Sequence, residues 1–229
     1  HLLVDNINSS IDSVLLPTMA SEQDNRDRIK AMTRRAIRIS SYIMWPMMLG
    51  LAAVAEPFVR LLLTEKWLPC VFFLRIMCVV YGFQPLQTAN LNAIKAMGRS
   101  DVFLKLDIIK KAVGLTAMFS TIFISVEAMA SSYLITTTLS AFINAWPNKK
   151  FINYSFREQI ADILPGLGLA LGMAVICYSI TMLGLHDLIT IILQIAVGAA
   201  IYVGGSILFK LESFSYVLNI VKKHIGKKK

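Results

Sequence analysis

Long runs of apolar residues, separated by short polar gaps, dominate the hydrophobic pattern of this chain. A helix needs about 20 apolar residues to cross a bilayer, and the runs of about this length are residues 37–63, 68–96, 108–126, 128–146, 163–183 and 188–209. Residues 1–19 add a helical pattern that is polar on one side, without a starting Met or the basic start of a signal peptide. We therefore predict an all-α, polytopic membrane helix bundle of about seven transmembrane helices, in a chain that begins within a longer protein.

The basic residues are distributed unevenly between the gaps. Of the 23 Lys and Arg residues, 20 fall in alternate gaps, at residues 21–38, 95–111, 149–157 and 210–229. Cytoplasmic loops carry the excess of Lys and Arg, so we predict that these gaps and the C-terminus are cytoplasmic. The net charge of +9 is then a property of the loops. Anionic lipid headgroups are the predicted partners of these basic loops, and nucleic acid is not.

Composition and motifs argue against an enzyme. Hydrophobic residues make up 56% of the chain and charged residues 16%, unlike a soluble domain. Cys70, Cys78 and Cys177 lie inside apolar runs without metal or redox spacing, and no phosphate-binding glycine loop followed by Lys and Ser or Thr is present. We expect no cofactor and no metal, and the gaps predicted to face outward are too short to build a catalytic site.

The second half of the run at residues 68–96 is unusually polar for a membrane span. Proline removes a backbone donor and clashes with the preceding turn, so Pro85 predicts a kink or break at residues 81–85. Broken helices commonly line cavities. The polar residues here predict a hydrated substrate cavity, or alternatively hydrogen bonds between helices; they are Gln84, Gln87, Thr88, Asn90, Asn92 and Lys95.

Several charges fall within the predicted helices. Arg75 is eight residues past Trp67, about 12 Å along a helix, where a charge needs protein, water or an anion as its partner. The roles of substrate-cavity residue and structural residue both stay open for Arg75. Arg60 is four residues past Glu56, so an intrahelical ion pair accounts for both.

The first predicted helix carries two carboxylates, Asp5 and Asp12, on one polar face. Carboxylates inside a membrane helix can bind a proton or a cation. We therefore take Asp5 and Asp12 as candidate ion-coupling groups. The alternative is that they pair with helices outside this chain.

Three stretches of the chain resemble the Wzx-type polysaccharide flippases, the polysaccharide transporter family of the multidrug/oligosaccharidyl-lipid/polysaccharide exporter superfamily. They are LLPTMAS at residues 15–21, LLLTEKWLP at 61–69 and NAIKAMGRSD at 92–101, with its Gly-Arg-x-Asp loop. The resemblance covers essentially the whole chain as the C-terminal half of such a flippase, with the N-terminal lobe missing. It implies transport of a lipid-linked oligosaccharide, used in lipopolysaccharide biosynthesis, across the bacterial plasma membrane by alternating access between lobes.

With this resemblance we expect a division of the chain, and we form hypotheses for the roles of its polar residues without carrying over any functional residue of the family. The division is a partial transmembrane lobe at 1–146, a basic cytoplasmic loop at 147–162, two trailing transmembrane helices at 163–209 and a basic cytoplasmic tail at 210–229. Gln84, Gln87, Thr88 and Asn92 would meet the sugar, and Arg75 would meet the diphosphate of the lipid carrier. The alternatives are a drug or metabolite exporter of the same superfamily, a non-transporting fragment, and a membrane enzyme of glycan assembly.

Overall fold

The computed structural model of this protein describes residues 15–218, in which helices and turns are present and strands are not. The main helices, in chain order, are α1 Arg26–Leu63, α2 Cys70–Gly82, α3 Gln84–Ala96, α4 Ser100–Thr121, α5 Val126–Phe151, α6 Phe156–Thr181 and α7 Asp187–Leu208. Residues 15–20 and 212–218 are also helical. The predicted all-α helix bundle is confirmed, while most of the predicted first helix, residues 1–14, lies outside the described residues.

Among the described residues, five helical segments are long and apolar enough to cross a membrane. They are Arg26–Leu63, Cys70–Ala96, Val126–Phe151, Phe156–Thr181 and Asp187–Leu208. Helix α4 contains most of the predicted span at 108–126, up to Thr121, but is not among the five. The reason is its charged first half, in which Asp101, Lys105, Asp107, Lys110 and Lys111 precede a short apolar end.

The predicted break near Pro85 is confirmed. Helix α2 ends at Gly82 and α3 begins at Gln84, with Phe83 between them and Pro85 in the first turn of α3. A proline is tolerated in a first turn because the backbone N–H groups there have no partner within the helix. The break therefore separates an apolar helix, α2, from the polar helix α3.

Helix α1 begins eleven residues before the predicted span at residue 37. The side chain of Asn25 accepts a hydrogen bond from the backbone N–H of Arg28 at 3.1 Å, and Asp27 lies in the first turn. Both features stabilise a helix start, by capping and by the helix dipole. The 38 residues of α1 make a helix of about 57 Å, longer than the hydrocarbon core of about 30 Å.

The chain divides into two compact units. Of the described residues, 15–37 and 79–162 form the first unit, and 38–78 and 163–218 form the second. In the first unit, α3, α4 and α5 pack against one another. Small side chains are buried on α3 and α5, at Ala89, Ala93, Ala141 and Ala145, and small residues allow membrane helices to approach closely.

In the second unit, hydrogen bonds of two buried tyrosines link α1 and α7. The Tyr202 hydroxyl donates to the Tyr42 carbonyl at 2.7 Å, and the Tyr42 hydroxyl is 2.6 Å from the Ser206 hydroxyl. Gly166 of α6 lies beside both rings, where a Cβ would be 3.6 Å from Tyr42. The polar ends of these buried tyrosines are thus satisfied without water.

Candidate functional site

The polar residues of α3 separate into an accessible face and a buried face. Gln84, Gln87 and Thr88 are half-buried and Lys95 is exposed. Asn90 and Asn92 are 0% and 2% exposed. At about 100° per residue, Gln84, Gln87, Thr88 and Lys95 fall on one face of a helix, and their accessibility agrees with this spacing. Asn92, although predicted as a cavity residue, lies on the packed side of the helix.

The buried face centres on a pair of side-chain amides. The Asn90 amide donates to Gln159 Oε1 at 2.7 Å, and Gln159 donates back to Asn90 Oδ1 at 3.0 Å. Asn148 of α5 donates to the same Asn90 oxygen at 2.6 Å. All three side chains are fully buried. This network joins α3, α5 and α6 and matches the alternative of hydrogen bonding between helices.

The accessible face is connected to this network through α5. Asn144, one helical turn before Asn148, donates to Gln87 Oε1 at 3.4 Å. The side-chain oxygens of Asn144 and Asn148 are buried and have no hydrogen-bond partner among the described residues. Gln87 is thus held in place on one side by a single long hydrogen bond.

A charged cluster lies at the start of α6 in the first unit. Arg34 binds both oxygens of Asp162, each at 2.7 Å, and the Tyr154 hydroxyl donates to Asp162 at 2.8 Å. Lys30 lies 3.5 Å from Glu158. Bidentate Arg–carboxylate pairs are strong and fix geometry. Basic residues of the gap at 21–38 therefore hold the loop between α5 and α6 in place.

Arg75, on α2, belongs to the second unit. Its Nε donates to the Ala52 carbonyl at 3.3 Å, and its guanidinium carbon lies 5.2 Å from the centre of the Tyr178 ring. Arg75 Nη2 is 3.9 Å from Glu56 Oε2, beyond hydrogen-bond distance. That nitrogen is buried and has no hydrogen bond among the described residues.

The predicted intrahelical pair between Glu56 and Arg60 is confirmed, at 3.1 Å. Arg60 also lies 3.4 Å from Asp187, the first residue of α7. Asp187 was not predicted as a partner, because 127 residues separate it from Arg60 in the chain. The signal available in the sequence was the acidic residue itself, in the gap between the spans at 163–183 and 188–209, which is predicted to face outward.

The remaining predicted site residues are outside these contacts. Asp5 and Asp12 lie outside the described residues. A surface depression of about 490 Å³ lies at the turn before α1 and the first residues of that helix, and includes none of the predicted cavity residues. Its lining residues are Ser21, Glu22, Asp24, Asn25, Arg26 and Asp27. Because it is open and remote in sequence from the polar face of α3, we do not assign it to substrate.

The Gly-Arg-x-Asp loop between α3 and α4 contains a bidentate ion pair. Arg99 Nε and Nη2 donate to the two oxygens of Asp101 at 3.1 and 3.2 Å. The hydrogen bonds from Arg99 hold the pKa of the Asp101 carboxyl below its usual value. The Arg99 guanidinium also lies 4.8 Å from the centre of the Phe151 ring. These contacts fix the loop against the end of α5.

Comparison with known proteins gives one family and several relatives. Residues 1–72 match the model of a family described as polysaccharide biosynthesis protein. A membrane protein of the cps region of Klebsiella pneumoniae is 26% identical over 139 residues, 60% of this chain and 29% of the relative. The lipopolysaccharide biosynthesis protein WzxC of Escherichia coli is 25% identical over 184 residues, 76% of this chain and 36% of the relative.

A third relative is the teichuronic acid biosynthesis protein TuaB of Bacillus subtilis, 20% identical over 195 residues, 85% of this chain and 40% of the relative. The chain thus spans less than half the length of these curated relatives. No solved structure matches it. The apolar helices and the Wzx-like relatives indicate a multi-pass membrane protein. The family model and these relatives confirm, with partial coverage, the resemblance to the Wzx-type polysaccharide transporter family that was found in the sequence.

Proposed function

We propose that this chain is part of a transporter that moves a lipid-linked oligosaccharide, the repeat unit of a polysaccharide, across the bacterial plasma membrane. Movement would occur by alternating access, with a further helical lobe as the partner of this one. The relatives named for polysaccharide, lipopolysaccharide and teichuronic acid biosynthesis support the substrate class. Because the chain spans 29 to 40% of their length, the activity belongs to a longer protein.

The observation that carries this proposal is the accessible polar face of α3. Gln84, Gln87 and Thr88 remain half-buried within a segment long and apolar enough to span a membrane. Amides and hydroxyls that face lipid alone would lose their hydrogen bonds with water, at a cost of roughly 2–7 kcal/mol each. A hydrated sugar supplies both donors and acceptors, whereas an apolar drug cation does not. The polar face therefore favours an oligosaccharide over a drug.

The lipid carrier and the energy source complete the proposal. The polyprenyl tail would stay in lipid while Arg75 balances the diphosphate, because a guanidinium pairs well with phosphate oxygens. A nucleotide-binding motif is absent from the sequence. We infer that an ion gradient or consumption of the product drives transport, with Asp5 and Asp12 as candidate coupling groups.

The orientation follows from the charges. We infer that the basic gaps and the C-terminus face the cytoplasm and that the hairpin at 64–67 faces outward. A cysteine introduced at Lys66 should react with a membrane-impermeant reagent added to intact cells, whereas one at Lys105 should react only after the cells are opened. The opposite pattern would reverse the orientation.

Substitution of the polar face tests the transport proposal. In bacteria that lack their own flippase and express the complete gene, we expect Gln84→Leu with Gln87→Leu to lower surface-glycan export by about tenfold. Two hydrogen bonds of roughly 0.5–1.5 kcal/mol each account for this size. The measurement is the amount of glycan on the cell surface at matched protein levels.

The matched controls are Gln23→Leu and Thr138→Val, which also remove polar groups but lie at exposed positions outside α3. Export should be unchanged in both controls. Undiminished export in the double α3 variant would contradict the proposed sugar site. Reduced resistance to toxic cations with normal glycan export would support the drug exporter instead.

A further inference from the structure

Arg60 and Arg75 both lie near Glu56 but share its carboxylate unequally. Arg60 Nη2 binds Glu56 Oε1 at 3.1 Å and Arg60 Nη1 lies 3.4 Å from Asp187. Arg75 has no carboxylate within hydrogen-bond distance among the described residues; Glu56 Oε2 is 3.9 Å away. Both acids of this cluster are therefore held by Arg60, and the charge of Arg75 is balanced only through space.

The remaining contacts of Arg75 leave one end of its guanidinium without a partner. Nε donates to the Ala52 carbonyl and the plane lies near the Tyr178 ring, which fix the side chain. The buried Nη2 has no hydrogen bond. An arginine held in position with an unmet donor next to a carboxylate is suited to exchange that carboxylate for another oxyanion.

From this geometry we propose that Glu56 is an exchangeable counter-ion for Arg75. Glu56 balances Arg75 while the site is empty and turns fully to Arg60 when a phosphate oxyanion binds Arg75. The inference rests on the proposed function, since it assigns a regulating residue to the same phosphate site. Glu56 is a positioning residue here, because it acts on the ligand through Arg75.

The exchange requires no change in the number of ion pairs. Before the anion binds, Glu56 balances the charges of both Arg60 and Arg75. After the anion binds, Glu56 pairs with Arg60 and the phosphate pairs with Arg75. The Glu56–Arg75 contact is the weaker of the two, since it is 3.9 Å long and not a hydrogen bond, whereas the Glu56–Arg60 contact is 3.1 Å. Competition by Glu56 therefore limits how tightly the anion is held and promotes its release.

Binding of inorganic pyrophosphate tests this competition. In the detergent-purified protein expressed from the complete gene, Glu56→Gln should tighten pyrophosphate binding by about tenfold, measured by titration calorimetry at fixed ionic strength. Glu65→Gln makes the same change of charge at an exposed position and should leave the affinity unchanged. In the double variant that combines Glu56→Gln with Arg75→Gln, the gain in pyrophosphate affinity should be abolished.

A purely structural role for Glu56 predicts the opposite result, because a damaged site binds less tightly. Equal or weaker pyrophosphate binding by folded Glu56→Gln protein would overturn the proposal. If that variant does not fold, Glu56→Asp retracts the carboxylate by one methylene and should give a smaller gain; no gain there would overturn it equally.

Two further measurements are needed. The first distinguishes the substrate from a lipid as the source of the phosphate, and the second distinguishes the counter-ion proposal from the transport proposal. In nanodiscs containing phosphatidylglycerol, the gain in pyrophosphate affinity of Glu56→Gln should persist if the site takes the substrate phosphate. It should disappear, compared with phosphatidylcholine discs, if a lipid headgroup is the exchanging anion. Glycan export is measured in parallel. Normal sensitivity of export to the α3 substitutions, without any gain for Glu56→Gln, would overturn the counter-ion and leave the transport proposal standing.

Discussion

Replacing Asn90 by leucine is expected to lower the free energy of unfolding of the first unit by about 3 kcal/mol. The substitution keeps the branched shape and the number of heavy atoms but removes the hydrogen bonds that Asn90 shares with Gln159 and Asn148. A buried polar group without a partner costs roughly 1–3 kcal/mol, and Gln159 Oε1 loses its partner in the variant. The measurement is the midpoint of unfolding in mixed detergent micelles.

Two comparisons make this expectation specific. Gln87→Leu, one turn earlier on the same helix, removes a half-buried amide with one hydrogen bond of 3.4 Å and should cost less than about 1 kcal/mol. Adding Gln159→Leu to Asn90→Leu removes both partners, so part of the stability should return. Equal losses in Asn90→Leu and Gln87→Leu would show that the amide network does not stabilise the unit.

Replacing Arg75 by glutamine is expected to reduce surface-glycan export by about tenfold to a hundredfold. If Arg75 binds the diphosphate as proposed, the variant loses a charge-assisted hydrogen bond worth roughly 1.5–3 kcal/mol. Arg75→Lys keeps the charge but not the two-pronged geometry, and we expect intermediate export. Export is measured in the flippase-deficient strain at matched protein levels.

Arg99→Gln is the matched control, because it removes the same charge from an exposed loop residue paired with Asp101. It should retain most of the export. Export at the wild-type level in Arg75→Gln would show that Arg75 is not part of the substrate site. The accessible polar face of α3 would then be tested only by its own substitutions.

Much of the fold could be predicted because membrane helices are specified locally. Apolar length alone indicated spans at 37–63, 128–146, 163–183 and 188–209, and each is contained in or overlaps α1, α5, α6 or α7. The break at Pro85 was predicted because proline acts on its own backbone. The pair of Glu56 and Arg60 was predicted because side chains four residues apart on a helix are neighbours.

The candidate site was only partly accessible to such reasoning. Helical spacing puts Gln84, Gln87 and Thr88 on one face, and all three are half-buried, yet the sequence pattern assigned no different role to Asn90 and Asn92. The packing of Asn90 depends on α5 and α6, whose side chains come from more than 50 residues further along the chain. The boundary of α4 was hard to predict for a different reason. Its charged residues can be read directly from the sequence, but the part of α4 that lies in the membrane cannot.

The sequence by itself determined the all-α fold class, the positions of most apolar spans, the break before α3 and the family that the chain resembles, because apolar length, charge in the gaps and proline act over a few residues. Only the tertiary structure decided that Asn90 pairs with Gln159, that Asp187 joins Arg60, and that Arg75 is left without a bonded carboxylate. Those outcomes depend on which distant helices pack together, and hydrogen bonds in a membrane protein are selected by that packing.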